Sequence, residues 1–289
     1  MITLDQKTLR KLQLTELELL QEVDRICRKC NIHYNIIAGT LLGAVRHGGF
    51  IPWDDDADVA LLRPQYEKFR KACETELDTS KFYFQDHRNT PGYRWGYGKL
   101  RRKDTLFLRE HQEHMPYEQG VFIDVFPLDY VPNPYPLRCL HNFKCFIYRK
   151  FFWSEVGRIA DKSARMRLLY SLMSKVPEAR LKKSFNRFIR KSDRHKTDWV
   201  RILTFPTPNR AYGYKVKWYK KSKKIPFEGI RFAGIADYEE YLTFKFGNYR
   251  ELPPAEQRKV HPVSDIKLIW AEERLDASHP NTDQGSNTD

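Results

Sequence analysis

Long apolar runs are missing from this 289-residue sequence. No stretch approaches the ~18 consecutive apolar residues that cross a bilayer as a helix, so no transmembrane helix is expected. The opening MITLDQKTLRK has no apolar core of the kind that marks a secretory signal. Cysteine is scarce and odd in number, five in all, without a framework spacing. That argues against a disulfide scaffold and for a reducing cytoplasm. Cys27 and Cys30 form a C-x-x-C, but no second pair follows to complete a zinc site. Cys27 continues a helical pattern of Leu12, Leu19, Leu20 and Val23, so a buried helix face accounts for the pair. Internal repeats are absent. Hydrophobic residues make up 41% of the chain, which excludes wholesale disorder and allows a full core.

Acidic residues are scarce in one segment. Between Leu137 and Lys196, 17 Lys and Arg stand against 4 Asp and Glu, a net +13 of the chain's +14. This asymmetry suggests a separate surface with an anionic partner. A nucleic acid is one such partner, given the pI of about 9.5. An anionic membrane surface or a polyanionic glycan suits the same concentration of charge equally well. Phe143, Phe146, Ile147, Phe151, Phe152 and Trp153 lie among Lys144, Arg149 and Lys150. They either meet a headgroup boundary or form the core of a helical subdomain with a solvated basic face.

Periodicity predicts a helix over 5–30 with Asp5 as cap, a short strand over 34–38, and a turn at Gly39 and Thr40. A helix over 41–46 follows, then an acidic strand and a helix opened by Pro64. Strands are expected at 81–86, 97–101, 105–109 and 121–126. Pro127, Pro132, Pro134 and Pro136 mark a boundary before a basic helical insertion. Residues 199–204 return to the sheet, 215–224 read as a mobile basic loop, and 237–246 form a helix. The resulting units are a core over 1–136, an insertion over 137–196, a second part of the core over 197–276, and a disordered tail over 277–289. Alternating strands and helices give an α/β or α+β class with a mixed sheet.

The densest chemistry lies in GTLLGAVRHGGFIPWDDDADV, Gly39 to Val59. In an extended backbone Asp54, Asp56 and Asp58 share one face. At ~4 Å each like-charged pair costs roughly 4 kcal/mol at an effective dielectric near 20. A divalent cation removes that cost, and all-oxygen ligands suit Mg²⁺ or Mn²⁺. Such an ion beside a glycine turn and a helix N-terminus points to phosphate chemistry, with Gly39 and Thr40 amides near a phosphate. Arg46 suits phosphate oxygens through its planar fork. His47 either contacts phosphate or orders the loop. Trp53 stacks on a base or sugar, borders an organic cation, or packs beside the strand. Lys99 and Arg101 alternate on a strand and either balance a diphosphate or decorate its surface.

The same stretch resembles the signature of the LicD family of phosphotransferases. GVFIDVFPLD, Gly120 to Asp129, is similar to that family's second acidic block, and the segment from Phe227 to His261 to its C-terminal block. Ala57 and Ala60-Leu61 depart from the larger aliphatic and glycine of the pattern, and Ile235 stands where a proline is usual. The resemblance implies a nucleotidyltransferase-like fold, shared with the fukutin-related enzymes. It implies transfer of phosphocholine from CDP-choline, or another CDP-linked donor, to a cell-surface glycan or its lipid-linked precursor. By resemblance Asp124 completes the metal site with Asp56 and Asp58 or accepts the acceptor's proton. Asp54 matches an acid of the fukutin-related pattern, and Asp55 faces away. Glu228 and His261 match the C-terminal block without an assigned role. Nucleotidyl transfer with pyrophosphate release, nucleic-acid binding and a catalytically dead scaffold are the competing functions.

Overall fold

Asp5 caps the first helix as its pattern predicts, accepting the Thr8 amide at 2.6 Å. The computed structural model describes residues 2 and 4–268, apart from 195, 208 and 259; the polar tail over 277–289 lies outside the described residues. In chain order the elements are α1 (Gln6–Lys29), β1 (Asn35–Ile36), α2 (Ala38–His47), β2 (Asp58–Leu62), α3 (Arg63–Glu76), β3 (Phe82–Gln85), β4 (Gly98–Arg102), β5 (Leu106–Arg109) and β6 (Phe122–Val131). The helical insertion is α4 (Tyr135–Ala160), α5 (Ala164–Ser174) and α6 (Glu178–Asp193). The chain returns through β7 (Trp199–Arg201), β8 (Tyr214–Lys215), α7 (Lys217–Lys220), β9 (Ser222–Phe227), β10 (Ile230–Ile235), α8 (Tyr238–Phe246) and β11 (Val263–Lys267).

A nine-stranded mixed sheet runs β3-β4-β6-β2-β1-β10-β9, with β7 added to β6 and β8 to β7. The β2–β6 and β1–β10 pairs are parallel, and the remaining pairs antiparallel. Helix α1 buries Leu12, Leu19, Leu20, Val23 and Ile26 in the main core. Cys27 is buried beside them and is not in a disulfide. A second core joins α4 to α6 through Cys145, Phe152, Leu181, Phe185 and Ile189. A small sheet of β5 and β11 stands apart from the large one.

Several local expectations are corrected. Gly39 and Thr40 lie within the first turn of α2, not in a turn before it. Only Asp58 of the three alternating acids is in strand β2; Asp54 and Asp56 sit on the loop leading to it. Pro127 is inside β6, opposite Leu61, because the parallel neighbour does not require its missing amide there. The basic segment over 215–224 is no mobile loop: it ends β8, forms α7 and starts the sheet-edge strand β9, whose charged residues are exposed while Ile225 and Phe227 are buried.

Arg63 and Asp129 lock α3 to β6. The guanidinium donates through Nε and Nη2 to the two carboxylate oxygens at 2.7 and 2.6 Å, and both groups are buried. Asp129→Ala leaves that guanidinium buried without its carboxylate. The expected loss is about 3–5 kcal/mol of unfolding free energy, read from urea denaturation; a loss below 1 kcal/mol would show that the pair is not needed.

Candidate active site

The acidic loop is held from three sides. From α1, Gln13 donates its amide to the carbonyls of Ile51 and Asp54 at 3.3 and 3.0 Å. From the small sheet, Arg109 donates to Asp55 at 2.7 Å, while His261 Nδ1 lies 2.7 Å from the other carboxylate oxygen. The His261 amide also donates to Asp55, at 3.2 Å. Asp55 is thus a buried brace facing away from its neighbours. The third hold is at the glycine loop. Glu228 accepts two bonds from Arg10, at 3.0 and 2.6 Å, and one from the Phe50 amide at 3.0 Å. A Cβ on Gly49 would run into the same carboxylate, so the close approach requires glycine.

Strand pairing sets the floor. Asp58 of β2 lies opposite Asp124 of β6, and Lys99 of β4 lies opposite Asp124 on the other side. Thr40 Oγ1 accepts the Asp58 amide at 2.7 Å and so fixes the start of β2 to the start of α2. Gly39 is also tight, since a Cβ there would stand 2.6 Å from Asp54 Oδ2. Ala38 has φ of +50°, a left-handed conformation costly for alanine, and its amide donates to the Tyr241 hydroxyl at 3.3 Å. Lys99 Nζ is 2.5 Å from Asp124 and 3.3 Å from the centre of the Phe122 ring.

Electrostatics at this floor are strained. Burial, with the charges of Asp56, Asp124 and Asp54, pushes the Asp58 carboxyl well above its ordinary range. Burial also raises Asp56, with Asp55 and Asp124 adding to it and His261 and Arg109 opposing, and Asp54, with Asp56 and Asp55 adding to it. Burial draws Lys99 down to about 8 against the pull of Asp124. Mutual destabilisation of hard oxygen donors is what a divalent cation relieves, so the donor chemistry of Asp56, Asp58 and Asp124 fits one. Among the described residues no three His, Cys, Asp or Glu side chains are already gathered as a chelate.

A cleft of about 380 Å³ opens over this floor, lined by Asp56, Lys99, Arg101, Arg109, Asp124 and His261. Trp95, Tyr97, Trp153 and Phe205 also line it, so aromatic rings share the cleft with the charged groups. Trp95 and Trp153 stand 5.7 Å apart between ring centres, and Tyr97 and Phe205 6.3 Å. Asp58 lies next door, in a small cavity with Ala38 and Lys245. The remaining expected residues go elsewhere. Arg46 donates to the carbonyls of Tyr249 and Glu251 at 2.9 and 3.1 Å, tying α2 to the C-terminal block. Trp53 stands edge-on to His47 at 6.1 Å and under Arg258 at 4.8 Å. Arg101 lines the cleft but spends Nε on Gln85 and Nη1 on the Gly120 carbonyl, at 2.8 and 2.7 Å.

Glu16 went unnoticed in the sequence. It is fully buried in α1, and neither carboxylate oxygen has a protein hydrogen-bond partner. Burial, then the charges of Asp56 and Asp55, pushes its carboxyl far up. Its signal was available: Gln13 and Glu16 interrupt the apolar stripe of Leu9, Leu12, Leu19 and Leu20, and a charge in such a stripe must face something. Arg109 and the aromatic rings carried no such mark, because only the tertiary fold assembles them.

A parallel strand pair sets two acids side by side, beside a helix with a glycine in its first turn, on a mixed sheet consistent with a nucleotidyltransferase-like fold. Residues 31–149 match the family model described as LicD/FKTN/FKRP, nucleotidyltransferase domain. It is 28% identical over 272 residues to the lipopolysaccharide cholinephosphotransferase LicD of Haemophilus influenzae, covering 91% of this chain and 98% of that one. An uncharacterized protein of Rickettsia typhi is 43% identical over 54 residues, 19% of this chain and 18% of its own. Another, of Rickettsia prowazekii, is 49% identical over 45 residues, 16% and 17% respectively.

Glu16 yields a signed pH dependence. Its folded-state proton affinity exceeds the unfolded one, so ionisation costs stability as pH rises above the ordinary value of 4.5. Glu16→Gln removes that cost. The variant is expected to melt higher than wild type at pH 8, with the gap narrowing as pH falls toward 4.5. Parallel thermal melts check this; an equal or lower midpoint at pH 8 contradicts it.

Proposed function

We propose that this protein transfers a phosphocholine group from CDP-choline to a hydroxyl of a lipopolysaccharide glycan or its lipid-linked precursor, releasing CMP. The observation that carries this reading is a cleft lined both by carboxylates and Lys99 and by the aromatic rings of Trp95, Tyr97, Trp153 and Phe205. A phosphodiester with a quaternary ammonium group matches both sets of groups, because aromatic faces attract such cations. The match to a lipopolysaccharide cholinephosphotransferase across nearly the whole of both chains supports the same substrate class.

In this reading Asp56 and Asp58, with Asp124 beside them, would hold a Mg²⁺ or Mn²⁺ ion. When bound, that ion would supply positive charge to the donor's diphosphate and lower the repulsion among the acids. The amides of Gly39 and Thr40, in the first turn of α2, face phosphate oxygens. Lys99 offsets the charge that grows on phosphorus-bound oxygens, at a site dry enough to make the charge count. The acceptor oxygen forms the new bond to phosphorus as the bond to CMP breaks. Its proton passes to Asp124, which the contact with Lys99 keeps oriented. Asp55, held by Arg109 and His261, keeps Asp54 and Asp56 in place, and the two basic side chains also line the cleft. Nucleotidyl transfer uses the same acids and differs in product, pyrophosphate rather than CMP.

Incubation with CDP-choline, glycan acceptor and Mg²⁺ is expected to release CMP, and EDTA to stop it. Asp56→Asn and Asp58→Asn should each lower kcat by about 10³-fold or more, with a melting midpoint unchanged or higher. Turnover that survives either change or the chelator, or pyrophosphate as product, removes this assignment. A separate measurement tests the aromatic rings. Trp153→Leu should raise KM for CDP-choline about five- to tenfold, the equivalent of ~1 kcal/mol, and leave kcat within about twofold. An unchanged KM would take Trp153 out of donor binding.

A further inference from the structure

Most of the exposed large apolar side chains of the described residues are concentrated in the insertion. Of 16 such residues, 11 lie between Tyr135 and Leu172. On α4, Leu140, Phe143 and Ile147 follow one another at helical spacing, 52, 57 and 37% exposed. On α5, Leu168, Leu169 and Leu172 are 65, 47 and 56% exposed. Tyr170 turns the other way and packs so closely on Gly157 that a Cβ there would sit 2.6 Å from its ring. The two helices therefore form one hairpin, with α5 showing leucines on the side away from α4. The second core takes up Phe152, but it leaves these side chains uncovered.

Their surroundings are basic. Lys144, Arg158, Lys162, Arg165 and Lys175 are exposed on or between the same two helices, and α6 adds exposed Lys183, Arg187, Arg190 and Lys191. Isolated exposed leucines need no explanation, but a cluster of them on helices rich in one sign of exposed charge marks a contact surface. Apolar groups among Lys and Arg, with four acids in sixty residues, suit a surface that offers hydrocarbon under a layer of negative headgroups. The patch is also continuous with the candidate active site. A second cavity of about 400 Å³, lined by Phe146, Arg149 and Lys150 of α4, shares Trp95, Tyr97, Trp153 and Phe205 with the catalytic cleft. A surface that α4 docks upon is therefore the surface beside which the cleft opens.

We infer that the α4–α5 hairpin is a peripheral docking surface for an anionic lipid bilayer, and that docking brings the cleft to acceptors carried on that bilayer. No helix among the described residues is long and apolar enough to cross a membrane, so the contact is interfacial. Binding of this kind weakens with salt, because each Lys or Arg near the headgroups acts through a screened field.

Co-sedimentation of the full chain with phosphatidylglycerol vesicles, phosphatidylcholine vesicles and no lipid tests this without any donor or acceptor. It is therefore independent of the proposed reaction. The expected result is binding to phosphatidylglycerol vesicles at 50 mM salt that is at least about tenfold tighter than to phosphatidylcholine, and that falls steeply by 500 mM. The triple change Phe143→Ser, Leu168→Ser and Leu172→Ser should lower vesicle binding about tenfold or more with an unchanged melting midpoint. Lys183, Arg187, Arg190 and Lys191 changed to Gln should remove the preference for the anionic vesicles. Equal binding to both vesicle types at low salt overturns the inference. So does a patch that proves to hold a second copy of the chain, seen as a dimer that the triple change dissociates, or one that captures single-stranded RNA in preference to vesicles.

Discussion

Carboxylates that repel one another are the constraint on which the rest of this structure depends. Burial and the neighbouring carboxylates raise the hold of Asp54, Asp56 and Asp58 on their protons, and the same run of acids raises that of buried Glu16. Left to itself such a loop would open toward water. The fold prevents this by pinning the backbone among them: Gln13 holds the Asp54 carbonyl, Thr40 the Asp58 amide, and the Ala57 carbonyl the Asp124 amide. Asp58 and Asp124 are bound into adjacent parallel strands, and the acids on the loop are held by partners that are not themselves part of the floor. The repulsion remains as a standing preference for positive charge in the cleft, which Lys99 meets in part.

The braces come from opposite ends of the chain. Gln13 reaches from α1, Arg109 from β5, and His261 from the residues before β11. Asp55 makes these contacts possible by pointing away from its neighbours, so one acid of the run is spent on holding the others. This division of labour explains why the small sheet of β5 and β11 exists apart from the main one: it supports Arg109 and His261 against the acidic loop.

Much of this was legible in the sequence. The helices, the strands carrying Asp58, Lys99 and Asp124, and the basic insertion follow from periodicity and turn residues, because each element is long or sharply bounded. The errors fall where tertiary contacts overrule local preference. Residues 215–224 look like a loop by charge, yet Ile225 and Phe227 anchor the following strand on the sheet edge. Gly39 and Thr40 look like a turn, yet Thr40 is needed inside α2 to hold the Asp58 amide. The partners of Glu228 and Arg46 lie about 200 residues away along the chain, and no local pattern announces contacts at that distance.

The hairpin between β9 and β10 turns through Glu228 and Gly229 alone, both with positive φ, +51° and +74°. A two-residue turn of this hand matches the twist of its strands, and it aims the Glu228 carboxylate at the glycine loop near residue 49. The early part of the chain thus receives its last restraint from a segment made nearly 180 residues later. In kinetic terms this is a contact of high sequence separation, formed late because loop closure must precede it. A growing chain can build α1, α2 and the central strands and still lack a finished glycine loop. Assembly of the site is thereby tied to completion of the fold, and a chain cut short before the hairpin carries the acids without the clamp that sets the loop beside them.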